Sequence, residues 1–144
     1  MLTEPVLIDT GPLVAYLKKR DLHNAACVAV MQEITSPLYT CWPVLTEAAH
    51  LLRSQGGLHR VERLLNSRGL GFLEILALNS PDAHGMARFL KKFRDHSPDL
   101  ADAALVHLAE REHIEMVFTF DVTDSSIYRT ATGKQLEVLP ERSN

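Results

Sequence analysis

The chain has 144 residues, of which 46% are hydrophobic and 23% are charged. This composition suffices to bury the core of one ordinary domain and excludes an intrinsically disordered chain. The net charge of −3 excludes a strongly basic protein. Acids gathered at one metal site would nevertheless leave the remaining surface close to neutral and able to bind phosphates.

The pattern of the sequence predicts neither a membrane span nor an export signal. No run approaches the roughly 18 uninterrupted apolar residues of a membrane span, and the N-terminus lacks a basic region followed by an apolar stretch. Cys27 and Cys41 lack the spacing of a zinc site or a disulfide framework, so we expect buried, free thiols. We therefore expect a cytoplasmic protein without membrane contacts.

The first half of the chain alternates between strand and helix patterns. Val6–Ile8 is an apolar, β-branched run typical of a strand buried on both faces. Thr10 can cap the helix that follows, and Pro12 suits its first turn. The later segments predict a helix over 21–34, a short strand over 38–42, a helix that starts at Pro43 and stops at the glycines 56–57, and a further helix over 58–69.

The second half continues the alternation. It predicts a strand over 72–76, a helix over 80–95 capped by Ser80, a helix over 97–113 capped by Ser97, a strand over 115–120 and a last strand over 136–139. Between the last two strands lies a short irregular or helical piece. Strands that alternate with helices predict an α/β sandwich around a mostly parallel sheet.

Four acids occupy unusual positions in this pattern. Asp9 and Asp121 each follow an apolar strand, where ligands gather in open parallel sheets. Glu47 lies mid-helix with no Lys or Arg three or four residues away, and Asp102 lies on an apolar helix stripe. Carboxylates directed toward a core edge need a cation, and hard oxygen ligands favour Mg²⁺ or Mn²⁺ over Zn²⁺. Asp99, one turn before Asp102, is a further candidate ligand.

Each acid also has an ordinary structural explanation. Asp9 can be a helix cap, Asp121 a turn former, Glu47 a solvated helix residue and Asp102 a satisfied acid near a helix start. The joint pattern favours the metal site over these separate explanations.

The ordered segments "LIDTGPLVAYL", "DLHN", "WPVLTEAAHLL", "DLADAALVHLAERE" and "VFTFDVTD" resemble the PIN-domain ribonucleases, and more narrowly the VapC-type toxins of bacterial toxin-antitoxin modules. The resemblance covers nearly the whole chain. It implies a single PIN-like domain over residues 1–144, built as a three-layer α/β/α sandwich with a mostly parallel central sheet.

The resemblance also implies a site and a reaction. The family's four acids correspond to Asp9, Glu47, Asp102 and Asp121, with auxiliary roles for Thr10 and Thr119. It implies hydrolysis of RNA phosphodiesters assisted by Mg²⁺ or Mn²⁺, leaving a 3'-hydroxyl and a 5'-phosphate. Where related toxins commonly carry Arg-Asp-Phe after the fourth acid, this chain has Thr123, Asp124 and Ser125, which leaves the role of Asp124 open.

The partners implied are an RNA substrate, a cognate antitoxin and a second copy of the chain in a homodimer. RNA would be held by cations outside the acidic site, although each cation can equally belong to an ordinary solvated face. The candidates are Lys18, Lys19, Arg20, Arg53 and Arg129, together with Arg60, Arg63, Arg68, Lys91, Lys92 and Arg94.

Other readings of the pattern are weaker. A haloacid dehalogenase-like phosphatase needs a second Asp two residues after the first, where Gly11 stands. A receiver domain needs a Lys at the end of a late strand. The remaining alternative is a non-catalytic PIN fold that binds RNA or protein, which loss of any of the four acids would have favoured.

Overall fold

The structure of the chain is a computed structural model that describes residues 2–54, 57–66, 73–120 and 127–140. Asp121 and Asp124, two of the predicted site residues, lie outside the described residues, as does Arg68. The other predicted site residues are all described.

The centre of the fold is a five-stranded sheet in which every pair of neighbouring strands is parallel. The strand order is β3-β2-β1-β4-β5, so β1 lies in the middle. The strands are β1 (Val6–Ile8), β2 (Leu38–Thr40), β3 (Leu73–Ile75), β4 (Met116–Phe118) and β5 (Glu137–Leu139).

Helices cover both faces of this sheet. They are α1 (Thr10–Leu17), α2 (Asn24–Glu33), α3 (Trp42–Ser54), α4 (Leu58–Asn66), α5 (Asp82–Lys92) and α6 (Leu100–Arg111). The chain runs from β1 to β3 in one direction and then returns past β1 to β4. Right-handed crossovers therefore place α1 to α4 over one face and α5 and α6 over the other. The predicted three-layer α/β/α sandwich is confirmed.

The core has the composition that the sequence pattern predicts. Val6, Leu7 and Ile8 are fully buried, as expected for a strand covered on both faces. The stripe of α6 that carries Asp102 is buried together with Leu105, Val106 and Ala109. Asp102 therefore lies at the edge of an apolar helix face.

Several boundaries differ from the sequence prediction, for local reasons. The strand predicted over 38–42 ends at Thr40, and Trp42 is the first residue of α3. Ser97 does not cap α6, because it ends a 3₁₀ turn (Arg94–His96) in the left-handed conformation with φ 51°; Asp99 is the cap. Ser80 is not the N-cap of α5 either, because Pro81 occupies that position and no side-chain cap hydrogen bond forms.

A cluster of charged side chains joins α5 to α6. Asp82 Oδ1 lies 2.8 Å from His107 Nε2, and Asp82 Oδ2 accepts from Arg111 Nη1 at 3.0 Å and from the backbone N–H of Asn79 at 2.7 Å. The two helices approach closely at Gly85, where a Cβ would lie 2.4 Å from His107 Nδ1. The cluster therefore fixes α6, which carries Asp102, against α5.

Two further expectations can be compared with the described residues. None of their helices has the length and apolar character that a membrane crossing needs. Cys27 and Cys41 are both buried and free, as predicted. Burial is the main cause that raises the pKa of Cys27 to about 12 and that of Cys41 to about 11, so both are neutral at physiological pH.

Candidate active site

The candidate site lies where the strand order reverses, between β1 and β4. Asp9 directly follows β1 and Thr119 directly follows β4, and the Asp9 N–H donates to the Phe118 carbonyl at 2.9 Å. Connections from these neighbouring strands leave in opposite directions, which opens a crevice at their carboxyl ends. The topology therefore brings Asp9 into the position where open α/β sheets bind ligands.

The carboxylate of Asp9 is fixed by donors from both strand ends. Thr119 Oγ1 donates to Asp9 Oδ2 at 2.9 Å, and the backbone N–H of Thr10 donates to Asp9 Oδ1 at 2.8 Å. Asp9 is also the N-cap of α1, so the structural role proposed for it is real. Thr119 is fully buried and Asp9 is 8% exposed, which holds the carboxylate in one orientation.

Glu47 lies on α3 with an exposed side chain, close enough to Asp99 and Asp9 for their charges to act on it. Partial burial, followed by the nearby charges of Asp99 and Asp9, raises the pKa of Glu47 above its usual value, while a hydrogen bond with the Thr10 side chain opposes the shift. No Lys or Arg among the described residues forms an ion pair with it, as the sequence predicts. Glu47 is therefore an acid held among acids.

Asp99 and Asp102 form a capping box at the start of α6. Asp99 Oδ1 accepts from the Asp102 N–H at 2.8 Å, and Asp102 Oδ2 accepts from the Asp99 N–H at 3.0 Å. Burial, and the adjacent charges of Asp99 and Asp9, raise the pKa of Asp102 to about 7. Asp102 thus has a structural role at the start of α6 in addition to its place among the acids.

The chemistry of this donor set fits a hard divalent cation. Burial and other acids raise the pKa values of Glu47 and Asp102, and no cationic side chain of the described residues contributes to these shifts. Across the described ranges, however, no three Asp, Glu, His or Cys side chains converge closely enough to hold an ion on their own. Mg²⁺ commonly uses one or two carboxylates and completes its shell with water and phosphate oxygens, so such a set remains suitable.

The chain that leads to Asp121 is held beside the start of α1. Phe120 stacks on His23 with ring centroids 4.8 Å apart, and a Cβ at Gly11 would lie 3.6 Å from the Phe120 ring. His23 therefore packs against the segment that leads to Asp121. Asp121 itself follows Phe120 outside the described residues, so its place as the fourth acid stays a prediction.

The predicted cations separate into different regions. Lys18, Lys19 and Arg20, at and after the end of α1, line one groove of about 490 Å³ with Arg60 and Arg63 of α4. Arg53 lies in the last turn of α3, and Arg129 Nη1 donates to the Gly133 carbonyl at 3.0 Å. The structure therefore gathers five cations into a single groove, which we call the basic groove.

One residue of this region was missed by the sequence prediction. Trp42 was assigned to the end of a strand, but it begins α3 and lies in the same pocket as Glu47 and Asp99. Its side chain is 53% exposed. The available signal was its position directly before the helix-starting Pro43, five residues ahead of Glu47.

The sequence of the chain can be compared with known families and proteins. The family model described as "PIN domain" matches residues 6–131 of the chain. The chain belongs to the PIN-domain family. Among curated relatives of this PIN domain is ribonuclease VapC26 of Mycobacterium tuberculosis, 26% identical over 135 residues that cover 94% of the chain and all of the relative.

Solved structures show the same PIN fold at low sequence identity. Mycobacterium tuberculosis VapC20, described as a sarcin-ricin loop cleaving toxin, superimposes with a TM-score of 0.75 at 14% identity over 82% of this chain and 91% of that one. VapBC2 of Rickettsia felis, bound to a DNA fragment, gives 0.65 at 12% identity over 97% and 99%. FitAB, also bound to a DNA fragment, gives 0.62 at 18% identity over 92% of each chain.

Proposed function

We propose that the chain is a ribonuclease that hydrolyses RNA phosphodiester bonds with the help of Mg²⁺ or Mn²⁺, and that it acts as the toxin of a toxin-antitoxin pair. The observation that carries the proposal is that Glu47 and Asp102 both lie close enough to Asp99 and Asp9 for these charges, together with burial, to raise the pKa values of Glu47 and Asp102. Membership of the PIN-domain family and the similarity to ribonuclease VapC26 support the reaction class.

In this proposal, Asp9, Glu47 and Asp102 hold the cation, with Asp121 as the predicted fourth acid and Asp99 as a further candidate. A bound divalent cation would stabilise charge on the phosphate and lower the pKa of the attacking water. Thr119 Oγ1 and the Thr10 N–H orient Asp9, and the capping box orients Asp102. The protein thereby places its carboxylates before the substrate arrives, which is the main contribution that it makes to such a reaction.

The basic groove is the proposed path of the RNA backbone. Its lining includes no described acidic side chain, and it starts at the end of α1, whose first residue adjoins Asp9. The eight residues of α1 span about 12 Å, so the basic groove lies about that far from Asp9. This distance corresponds to a few nucleotides of a helical RNA strand. Replacing both Arg60 and Arg63 by Ala should weaken RNA binding similarly for all sequences. It should also make the slope of log binding constant against log salt concentration less negative by about 2.

The proposed protein partners are a cognate antitoxin and a second copy of the chain. The resemblance to VapC-type toxins implies both partners. The VapBC2 and FitAB structures, which have a similar fold, are each bound to a DNA fragment. Leu51, Leu58 and Leu65 expose large apolar side chains on α3 and α4, a surface suited to protein contact. Light scattering across a dilution series measures the self-association.

A cleavage assay tests the catalytic proposal. Protein purified without antitoxin should cleave RNA in Mg²⁺ or Mn²⁺, and chelation should abolish the cleavage. Asp9→Asn should remain folded but inactive, whereas Asp95→Asn, at an exposed acid of the 3₁₀ turn, should keep full activity. Cleavage by Asp9→Asn at the wild-type rate would refute the assignment.

The alternative is a PIN fold that binds RNA or protein without turnover. It is favoured by one observation, the lack of a preassembled three-ligand metal group among residues 2–54, 57–66, 73–120 and 127–140. Induction of the gene in cells separates the two candidates. Growth arrest with cleaved RNA supports the toxin, and normal growth with intact RNA supports the binding module.

A further inference from the structure

The only tryptophan of the chain lies on the rim of the candidate active site. Trp42 starts α3, and its side chain is 53% exposed. It lines a pocket of about 620 Å³ between the N-terminal ends of α3 and α6. The remaining lining residues are Pro43, Thr46, Glu47, His50, Asp99, Leu100 and Ala101.

This pocket has two chemically different parts. Glu47 and Asp99 supply carboxylates, whereas Trp42 and Leu100 supply large apolar surfaces, one from each helix. Leu100 is 56% exposed. An indole and an isobutyl group left this open to water gain stability when a flat apolar ligand covers them. A ligand in the pocket would therefore contact the acids and the indole together.

A nucleobase suits this combination better than a protein surface does. The centre of a protein interface is depleted of charged residues, because burying unpaired carboxylates is costly. A base that stacks on an indole leaves the neighbouring carboxylates hydrated and able to face a phosphate through a cation. Stacking on aromatic side chains is also the usual way in which proteins hold unpaired bases.

We propose that Trp42 is a stacking platform for an unpaired base of the RNA substrate, next to the phosphate that is cleaved, with Leu100 as the opposite apolar wall. The proposal rests on the proposed ribonuclease function and adds a positioning residue to it. It requires single-stranded or looped RNA at the cleaved position, since a base paired in a duplex cannot reach the indole.

Because the chain has a single Trp, its fluorescence reports on this position alone. A mixed-sequence single-stranded RNA oligonucleotide, added to Asp9→Asn protein so that it stays intact, should quench the emission of Trp42. Inorganic polyphosphate of matched charge has no bases and should leave the emission unchanged. Binding of the same RNA is measured independently by a gel-shift assay.

Kinetics on three variants separate stacking from a structural role. Trp42→Ala should raise KM for RNA roughly ten-fold, because one base stack contributes about 1–3 kcal/mol and 1.4 kcal/mol corresponds to ten-fold. Its kcat should change little. Trp42→Phe should restore most of the affinity, and Leu22→Ala, at a leucine that is 90% exposed and outside the pocket, should match the wild type.

The outcomes decide between the occupants. RNA that binds and is cleaved without quenching Trp42 would overturn the stacking proposal and leave the ribonuclease function intact. Emission that changes with protein concentration, and not with RNA, would assign the surface to a second copy of the chain and also overturn it. Absence of both RNA binding by Asp9→Asn and RNA cleavage by the wild type would defeat the proposed function, and the stacking platform with it.

Discussion

The charged cluster between α5 and α6 gives a direct test of what holds the acids of α6 in place. Asp82→Asn keeps the size of the side chain and one acceptor oxygen, but removes the charge that faces Arg111 and His107. The side chain of Asp82 is 11% exposed and that of Arg111 is 31% exposed. The pair is thus partly buried, and its loss should be measurable.

The expected loss follows from these contacts. Hydrogen bonds that involve a charged group contribute roughly 1.5–3 kcal/mol each, and breaking a buried pair costs about 3–5 kcal/mol. Water can still reach Arg111, so we expect a decrease of about 2–3 kcal/mol in the free energy of unfolding. With roughly 3 °C per kcal/mol for a chain of this length, Tm should fall by about 6–9 °C.

The stabilisation by the Asp82 carboxylate should depend on pH, because only the ionised form carries the charge. The hydrogen bond from the Asn79 N–H, followed by those from His107 and Arg111, holds the pKa of Asp82 well below its usual range. The stabilisation is therefore complete above the unfolded-state pKa of about 3.9 and is lost as the pH falls through the lower, folded-state pKa. The gap between wild type and Asp82→Asn should be constant from neutral pH to about pH 5 and close at more acidic pH.

Urea unfolding of both proteins at several pH values measures this gap. Asp95→Asn, at an exposed acid of the 3₁₀ turn, is the matched control and should change the free energy of unfolding by less than about 0.5 kcal/mol. A decrease below about 1 kcal/mol for Asp82→Asn, or a gap that persists unchanged at acidic pH, would refute the reasoning.

Three further variants test the site and its support. Thr119→Val removes the hydroxyl that orients Asp9 and should lower RNA cleavage roughly 10–100-fold with the fold intact, as measured by rates and circular dichroism. Asp102→Asn can keep the hydrogen bond of the capping box while it removes a charge that burial disfavours. In EDTA at pH 8 the variant should therefore unfold at a higher urea concentration than the wild type, although it should lack activity. Unfolding at a lower urea concentration would contradict this. Gly85→Ala places a Cβ 2.4 Å from the ring of His107, so it should lower Tm despite the better helix propensity of Ala; an unchanged Tm would show that the ring moves aside without loss.

The overall fold was predictable from local sequence features, and the same features single out the acids of the candidate site. Asp9 and Asp121 are each marked by an apolar run that ends in an acid. The alternation of strands and helices implies a parallel sheet, in which the carboxyl ends of the strands share one edge. Helical periodicity alone is likewise enough to show that Glu47 has no cationic neighbour on its helix and that Asp102 lies on an apolar stripe. These features depend on residues close together in the chain.

The missed features depend on tertiary geometry. Ser97 and Asp99 are both acceptable caps by residue type, and the left-handed conformation of Ser97 decides between them. Asp82 meets His107 and Arg111 across 25 and 29 residues, so no periodic pattern indicates the cluster. The exposure of Trp42 depends on how α3 and α6 meet, which no local signal describes.

The hydrogen bond between Thr119 and Asp9 joins residues 110 positions apart in the chain. Asp9 therefore leaves the ribosome 110 residues before Thr119. A growing chain accordingly has no assembled crevice until β4 has been made. Under the proposed ribonuclease function, this order of synthesis gives an interval in which a newly translated molecule cannot cleave the RNA around it.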